Sequence, residues 1–463
     1  MKRVLFIINK MNFRPSSGHG IFMLGVVKTL HQNGHCIDIV CDGEPEANFL
    51  EEYEVNVYTP DKAERHSYGK HSNLFQFGDS FNFEKAINFR TAIVKALSNH
   101  TYDLIICNDT ESAFTCYQME LHKSIKVASY AHECASINPE LSAGVFKDCY
   151  YDLIEKMMYF PITTLIQTQQ NYDKLQKAPG HNLYIQPYPI TDSDSLNLTN
   201  QEGLLFIGRH EDRKNPEIYF KALAGIKEKY GVELKAKVLT RKAHVKKFEA
   251  DFAAIGHTNY EIVSDVVGYE KAALIQSAKV ALMPYKNESF GIAVMEALRF
   301  MPTIVLDKYN WHYNFHHMTN LTVANQAECV DVIWNLYNNH VHNEEVVAKE
   351  FEDYQLAYET ALLNLLKNGP VLNSKTIPRN RLYTYLKENE GTWIALSEYF
   401  KTQNTKGVIY LTSDIESIYA NANYYNVKHT NAETYLGVVD AEGNLYHKEV
   451  VEEEIESFSS FFQ

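Results

Sequence analysis

Glu288-Ser289-Phe290-Gly291-Ile292-Ala293-Val294-Met295-Glu296-Ala297-Leu298 is the stretch that decides how this chain is read. It follows the apolar run Lys279-Val280-Ala281-Leu282-Met283-Pro284, which has the character of a buried parallel strand ended by a proline. Gly291 then opens a segment with Ile292, Met295 and Leu298 at helical spacing. A strand, a tight loop and a helix start make an anion site, because the first helical N–H groups have no partner inside the helix. Glu288 stands in the loop, and Glu296 lies about one and a half turns into the helix. Carboxylates repel phosphate but accept hydrogen bonds from hydroxyls. The combination points to a ligand that is part diphosphate and part polyol; the plainer alternative is a strand–helix unit with glutamates on its rim.

Working outward, Gly203 to Gly208 reads as a strand, with Arg209 and Lys214 in the loop before a helix starting near Pro216. Arginine offers phosphate a planar fork and lysine a mobile point charge; an exposed, salt-bridged loop is the alternative. Leu234 to Thr240, residues 261–267 and Thr303 to Leu306 continue an alternation of strands and helices. Nearer the start, Val4 to Asn9 is a strand and Asn9 to Gly20 a loop containing Pro15-Ser16-Ser17-Gly18-His19-Gly20. A helix over Ile21 to Asn33 and a strand over Cys36 to Val40 complete a βαβ unit. Its glycines lack the G-x-G-x-x-G spacing, which sets a nicotinamide or flavin site aside. Tyr102 to Asn108 and Lys126 to Glu133 are further strands, and His132 and Glu133 stand at the carboxyl end, where open α/β sheets bind ligands. The plain alternative for His132 is a strand-end histidine bonded to nearby backbone. Thr163 to Ile166 closes the first sheet, and Gln186-Pro187-Tyr188-Pro189-Ile190 with the polar run to Gln201 marks a linker. Asp192-Ser193-Asp194 falls in that linker and reads as turn chemistry rather than a metal pair.

Together these residues resemble the retaining glycosyltransferases built from two Rossmann-like domains, the GT-B fold. Glu288 and Glu296, with the Ser-Phe-Gly between them, match that family's E-x7-E signature. Arg209 and Lys214 match its diphosphate pair, although Asn215 stands where a glycine usually follows the lysine. The resemblance spans roughly residues 1–367 and implies an α/β architecture with two domains facing across a cleft. It places an acceptor domain at 1–187 and a nucleotide-sugar domain at 188–369, with a helix over 344–367 crossing back. It implies no cofactor or metal, and a nucleotide-sugar donor that is uridine-linked. In the expected site Gly18 and Gly20 let backbone approach the ligand, and Arg209, Lys214, Ser289, Phe290, Gly291 and Ile292 hold the diphosphate. Glu296 holds the ribose, while Glu288 and His132 position the sugar. His132 followed by an acidic residue is similar to phage enzymes that α-glucosylate hydroxymethylcytosine in DNA, which makes Glu133 the candidate to receive the acceptor proton.

Residues 370–463 form a separate small α+β unit. Helical stretches over 381–387, 393–400 and 413–419 and a hairpin over 435–446 with its turn at Glu442-Gly443-Asn444 suggest a winged helix-turn-helix. Arg379, Arg381, Lys387, Lys401 and Lys406 would supply phosphate contacts, against an acidic end at Glu449, Glu452, Glu453, Glu454 and Glu456. A packing or dimerisation module is the alternative. At 463 residues, 45% hydrophobic and 22% charged, the chain is globular and multi-domain, with no run long enough to span a bilayer and no secretory pattern. Seven scattered cysteines fit a reducing cytoplasm, the host's if the chain is phage-encoded. Trp311 to His317 lacks the carboxylate or cysteine partners of a metal site and reads as packing or surface histidines.

The expected reaction is therefore sugar transfer to a hydroxymethylated pyrimidine in DNA. The alternative acceptor is a bacterial surface polysaccharide or lipid-linked glycan, which suits the net charge of −14 better. A non-catalytic sugar-nucleotide or DNA-binding protein is the alternative from another class.

Overall fold

The computed structural model describes residues 1–14, 17–45, 50–63, 83–132, 162–175, 182–190, 201–286, 288–309, 311 and 315–368, with three strands beyond them. The first sheet is built from β1 (Arg3–Ile8), β2 (Cys36–Cys41), β3 (Asn56–Tyr58), β4 (Leu104–Cys107), β5 (Lys126–Tyr130), β6 (Thr163–Ile166) and β7 (Leu183–Ile185). Its seven strands run in the order β3-β2-β1-β4-β5-β6-β7, every neighbour parallel, so the short β7 and not the expected β6 closes this sheet. The second contains β8 (Leu204–Ile207), β9 (Ala236–Thr240), β10 (Tyr260–Ser264), β11 (Val280–Leu282), β12 (Thr303–Leu306) and β13 (Leu321–Ala324). Its six strands run β10-β9-β8-β11-β12-β13, again all parallel. Both sheets reverse strand order beside their first strand, and a crevice opens at the carboxyl ends there. Strands buried on both faces need unbroken apolar sequence, which explains fully buried runs such as Leu104 to Cys107 and Leu204 to Ile207.

The helices of the first half are α1 (Gly18–Gln32), α2 (Phe83–Asn99), α3 (Thr110–Gln118) and α4 (Gln169–Leu175). Those of the second half are α5 (Pro216–Tyr230), α6 (Val245–Ala254), α7 (Gly268–Gln276), α8 (Ile292–Leu298), α9 (Cys329–Asn339) and α10 (Glu344–Asn368). One sequence boundary is corrected: α1 begins at Gly18, not Ile21. Ser17 is extended and its hydroxyl accepts from Gly20 N at 2.9 Å, so the N-cap overrides the turn character of the glycines. The 25-residue α10 returns to the first sheet. Lys2 Nζ donates to Leu366 O at 2.8 Å and Tyr184 Oη to Ala361 O at 2.7 Å, joining the end of the second half to the start of the first. The lysine completes carbonyls at the helix C-terminus, where positive charge is favoured. Pro189 of the linker lies against Gly25 of α1, where an added Cβ would come within 2.2 Å of the proline.

In the tail, β15 (Tyr435–Val439) and β16 (Leu445–Glu449) pair antiparallel as the expected hairpin, and β14 (Val408–Thr412), which the sequence reading missed, pairs parallel with β15. The expected helices at 381–387, 393–400 and 413–419, and the basic residues 379–406, lie outside the described residues. Among the described residues no helix is long and apolar enough to cross a membrane.

Candidate active site

The two crevices face one another and form a cleft of about 780 Å³. Its second-half wall carries Arg209, Arg213, Lys214, Arg241 and the segment Glu288 to Ala293. These residues follow β8, β9 and β11, so the parallel register delivers all of them to one edge. Lys214 Nζ pairs with the Glu288 carboxylate and lies over the Tyr285 ring, 3.8 Å from its centroid. Burial draws the Lys214 ammonium down while Glu288 holds it up. Arg209 is held by Glu211 at 2.9 Å.

Asn215, the one departure from the family pattern in this loop, adopts φ 52° and ψ 49°. That left-handed conformation suits glycine, and asparagine tolerates it better than most residues. Its side-chain Nδ2 also donates to Pro284 O at 3.1 Å, tying the Arg209–Lys214 loop to the end of β11. Gly291 has φ 95°, and an added Cβ would meet Phe315 and Trp311 at 3.3 Å. Trp311 and Phe315 are therefore packing beneath the loop, and Trp311 Nε1 donates to Tyr285 O at 2.8 Å. Ser289 O accepts from Asn171 Nδ2 at 2.8 Å, and the Phe290 ring lies 5.0 Å from that of Tyr188. The Glu288–Gly291 loop is thus docked on both the first half and the linker. No group of three or more His, Cys, Asp or Glu is arranged to hold a metal among the described residues.

The first-half wall carries Asn12, Arg14, Gly18, His19, Lys85, Asn108, Asp109, Glu111 and His132. Gly18 does line the cleft, where an added Cβ would meet Ile292 Cδ1 at 3.4 Å. Gly20 points elsewhere: an added Cβ would sit 1.9 Å from Arg14 O, so this glycine serves the loop's own packing. Glu296 is also displaced from the main cleft. It pairs with Lys271 and lines a neighbouring cavity of about 330 Å³ that shares Phe290 and Ile292 with the cleft. Glu133 lies outside the described residues, as do Asp192 to Asp194.

Sequence reasoning missed His19, Lys85, Asn108, Asp109 and Glu111. Asp109 is buried, accepts from Asn9 N at 2.7 Å and caps α3; burial raises its pKa. Lys85 lies 3.6 Å from Glu111; burial lowers it, but Glu111, Asp109 and Asp42 raise it further. Asn108 was read as the last residue of a strand from Tyr102, but β4 ends at Cys107, so Asn108 and Asp109 stand just beyond the strand end, and that position was the available signal.

The His19 and His132 rings stack at 3.8 Å. Burial, then the Lys85 charge, lowers His19 to about 4, and burial, then His19, puts His132 well below the usual histidine range. Both are neutral at pH 7, whereas in the unfolded chain each would protonate near about 6.5. Acid therefore favours the unfolded state. The unfolding free energy should hold above about pH 6.5 and fall as pH drops from there toward about 4, by up to about 1.4 kcal/mol per pH unit for each ring, and the melting midpoint should fall with it. His19 contributes less than that limit because its side chain is 32% exposed. Melting curves between pH 7 and 5 check this: His19→Gln should flatten the slope, and a flat wild-type slope would contradict the burial of these rings.

Residues 190–314 match the family of glycosyl transferases group 1. The matched segment includes Arg209, Lys214, Glu288 and Glu296. No curated protein matches the chain by sequence. Among solved structures the chain is similar to a sucrose-phosphate synthase from Thermosynechococcus elongatus, with a TM-score of 0.60 and 14% identity over 80% of this chain and 98% of that one. It is similar to TarM of S. aureus, with a TM-score of 0.59 and 13% identity over 81% and 99%. It is also similar to Anabaena HepE in complex with UDP and glucose, at 0.54 and 13% over 80% and 98%. At such identities the likeness shows the fold.

Proposed function

We propose that this chain, a GT-B glycosyltransferase by its fold and its group 1 match, moves a sugar from a uridine-linked donor to a hydroxyl acceptor with retention of configuration. The observation that carries the reading is the Lys214–Glu288 pair at the start of α8, among Arg209, Arg213 and Arg241. Cations and helix-start amides on one wall suit a departing diphosphate, and preorganised charge of this kind is commonly the largest catalytic contribution. Arg209, Lys214 and the amides around Phe290 and Gly291 take the diphosphate. Glu296, in the adjoining cavity, takes the ribose. Glu288 and the His132 side of the cleft flank the sugar. UDP is favoured as the carrier because the similar Anabaena structure holds UDP and glucose.

Transfer forms the bond from the acceptor oxygen to the anomeric carbon and breaks the bond from that carbon to the phosphate oxygen. The departing phosphate takes the acceptor proton on the same face, so no covalent nucleophile is required. Closure of the two halves around the donor excludes water, a competing acceptor.

For the acceptor, the first-half wall favours an uncharged hydroxyl-bearing molecule such as a glycan or polyol over the DNA acceptor implied by resemblance. That wall carries the carboxylates Asp109 and Glu111, and a chain of net charge −14 opposes a polyanion. The test incubates the protein with UDP-sugars and a panel of monosaccharides, polyols and duplex DNA with or without hydroxymethylcytosine, analysing products by mass. Consumption of one donor with its sugar mass on a small hydroxyl acceptor is expected. Transfer only to modified DNA would replace this acceptor, and absence of both UDP binding and donor consumption would overturn the transferase reading.

A further inference from the structure

We propose that Asn108, not His132, supplies the first half's hydrogen bond to the sugar being transferred, with His132 acting as the residue that positions it; this rests on the transferase reading above. Both ring nitrogens of His132 are already engaged. Nε2 lies 2.8 Å from Asn108 Oδ1. An amide oxygen only accepts, so Nε2 carries the proton. The neutral ring then has a bare Nδ1, which accepts from the Tyr188 hydroxyl. Its faces are covered as well, by His19 at 3.8 Å and Tyr130 at 4.6 Å between centroids. A histidine held in this way has no free polar atom to offer a ligand.

Asn108 does. It is fully buried at the carboxyl end of β4, its backbone N–H donates to Ile7 O at 2.9 Å, and it lines the cleft. The His132 bond takes the amide oxygen, and Nδ2 is left without a partner. A buried N–H donor without an acceptor carries its full desolvation penalty, and in a ligand cleft the natural acceptor is an oxygen of the ligand. Among the described residues, the other buried side-chain donor at the cleft without a partner, Arg14 Nε, belongs to a side chain that is partly exposed. Tyr188 also packs on Phe290, so the string Asn108–His132–Tyr188 ends at the loop assigned to the diphosphate. The amide is therefore oriented by groups that sense where the donor loop sits. The ligand chemistry it selects is a sugar hydroxyl that can accept a hydrogen bond.

Asn108→Asp keeps an oxygen for His132 Nε2–H and removes the donor, while Asn108→Ala removes both. The probes are UDP, UDP-glucose, UDP-galactose and UDP-N-acetylglucosamine, with calorimetric binding and the rate of UDP release as readouts. Both variants are expected to bind UDP within twofold of wild type and to lose at least tenfold in kcat/KM for the consumed UDP-sugar. Turnover within twofold of wild type overturns the assignment. So does a loss of UDP affinity equal to the loss of turnover, which would mark Asn108 as purely structural. So too does a wild-type protein that binds UDP yet treats all three sugars as it treats UDP. A wild type that binds no UDP and consumes no donor removes the transferase reading itself, a separate outcome.

Discussion

Replacing Lys214 by methionine is expected to lower donor turnover by about 10²–10³-fold, the range seen when one preorganised stabilising group is removed from an active site. Methionine keeps most of the apolar stem and removes the ammonium, and with it both the Glu288 pair and the cation over the Tyr285 ring. The cleft then loses the cation nearest to Glu288, and the Glu288 carboxylate, only 12% exposed, is left without its partner. Breaking a fully buried pair costs about 3–5 kcal/mol; this pair keeps some contact with water, so the fall in stability should be smaller. Turnover should thus drop far more than the melting midpoint. The variant is assayed by UDP release beside its thermal melt. Activity within tenfold of wild type would show that Arg209, Arg213 and Arg241 suffice, and would sink the role given to Lys214.

Gly20→Ala is expected to destabilise the first half by about 2–4 kcal/mol, combining an overpacked backbone contact with a lost helix cap. Its Cβ would lie 1.9 Å from Arg14 O and 2.8 Å from Asn12 O, both main-chain atoms. The loop cannot simply yield. Asn12 N and Phe13 N donate to Asn9 O at 3.0 and 3.1 Å, and Ser17 Oγ donates to Asn12 O at 2.8 Å while accepting from Gly20 N. Relief must break the Ser17 cap and carry His19 with it. Gly18→Ala is the contrast, since its Cβ meets only Ile292 Cδ1 at an ordinary 3.4 Å. That change should stay within about 0.5 kcal/mol. Chemical denaturation of the two variants checks the pair, and equal effects would contradict the geometry.

The two glycines show where sequence reading stops. Both were legible as a glycine-rich loop after the first strand, and both were expected at the ligand. One lines the cleft and the other faces the chain's own carbonyls, a difference set by loop coordinates rather than by residue type. Asn215 illustrates the reverse. It looked like a departure from a pattern, yet its positive φ meets the same backbone demand that glycine meets.

The short edge strands β3, β7 and β13 carried too little apolar sequence to be read. The sequence by itself determined the central strands of the two parallel sheets and the charged residues that stand just beyond β8 and β11. Those features rest on local rules: apolar runs for buried strands, helical spacing after Gly291, and charged side chains just beyond strand ends. Only the tertiary structure decided the partners. Lys214 and Glu288 are 74 residues apart, His132 and Tyr188 are 56 apart, and Asn171 reaches Ser289 across 118. It also decided that His132 is spent inside the protein and that Asn108 is not. Pairing of this kind follows from how helices and sheets pack, and two polar atoms far apart along the chain carry no local mark of whether folding will bring them within 3 Å of one another.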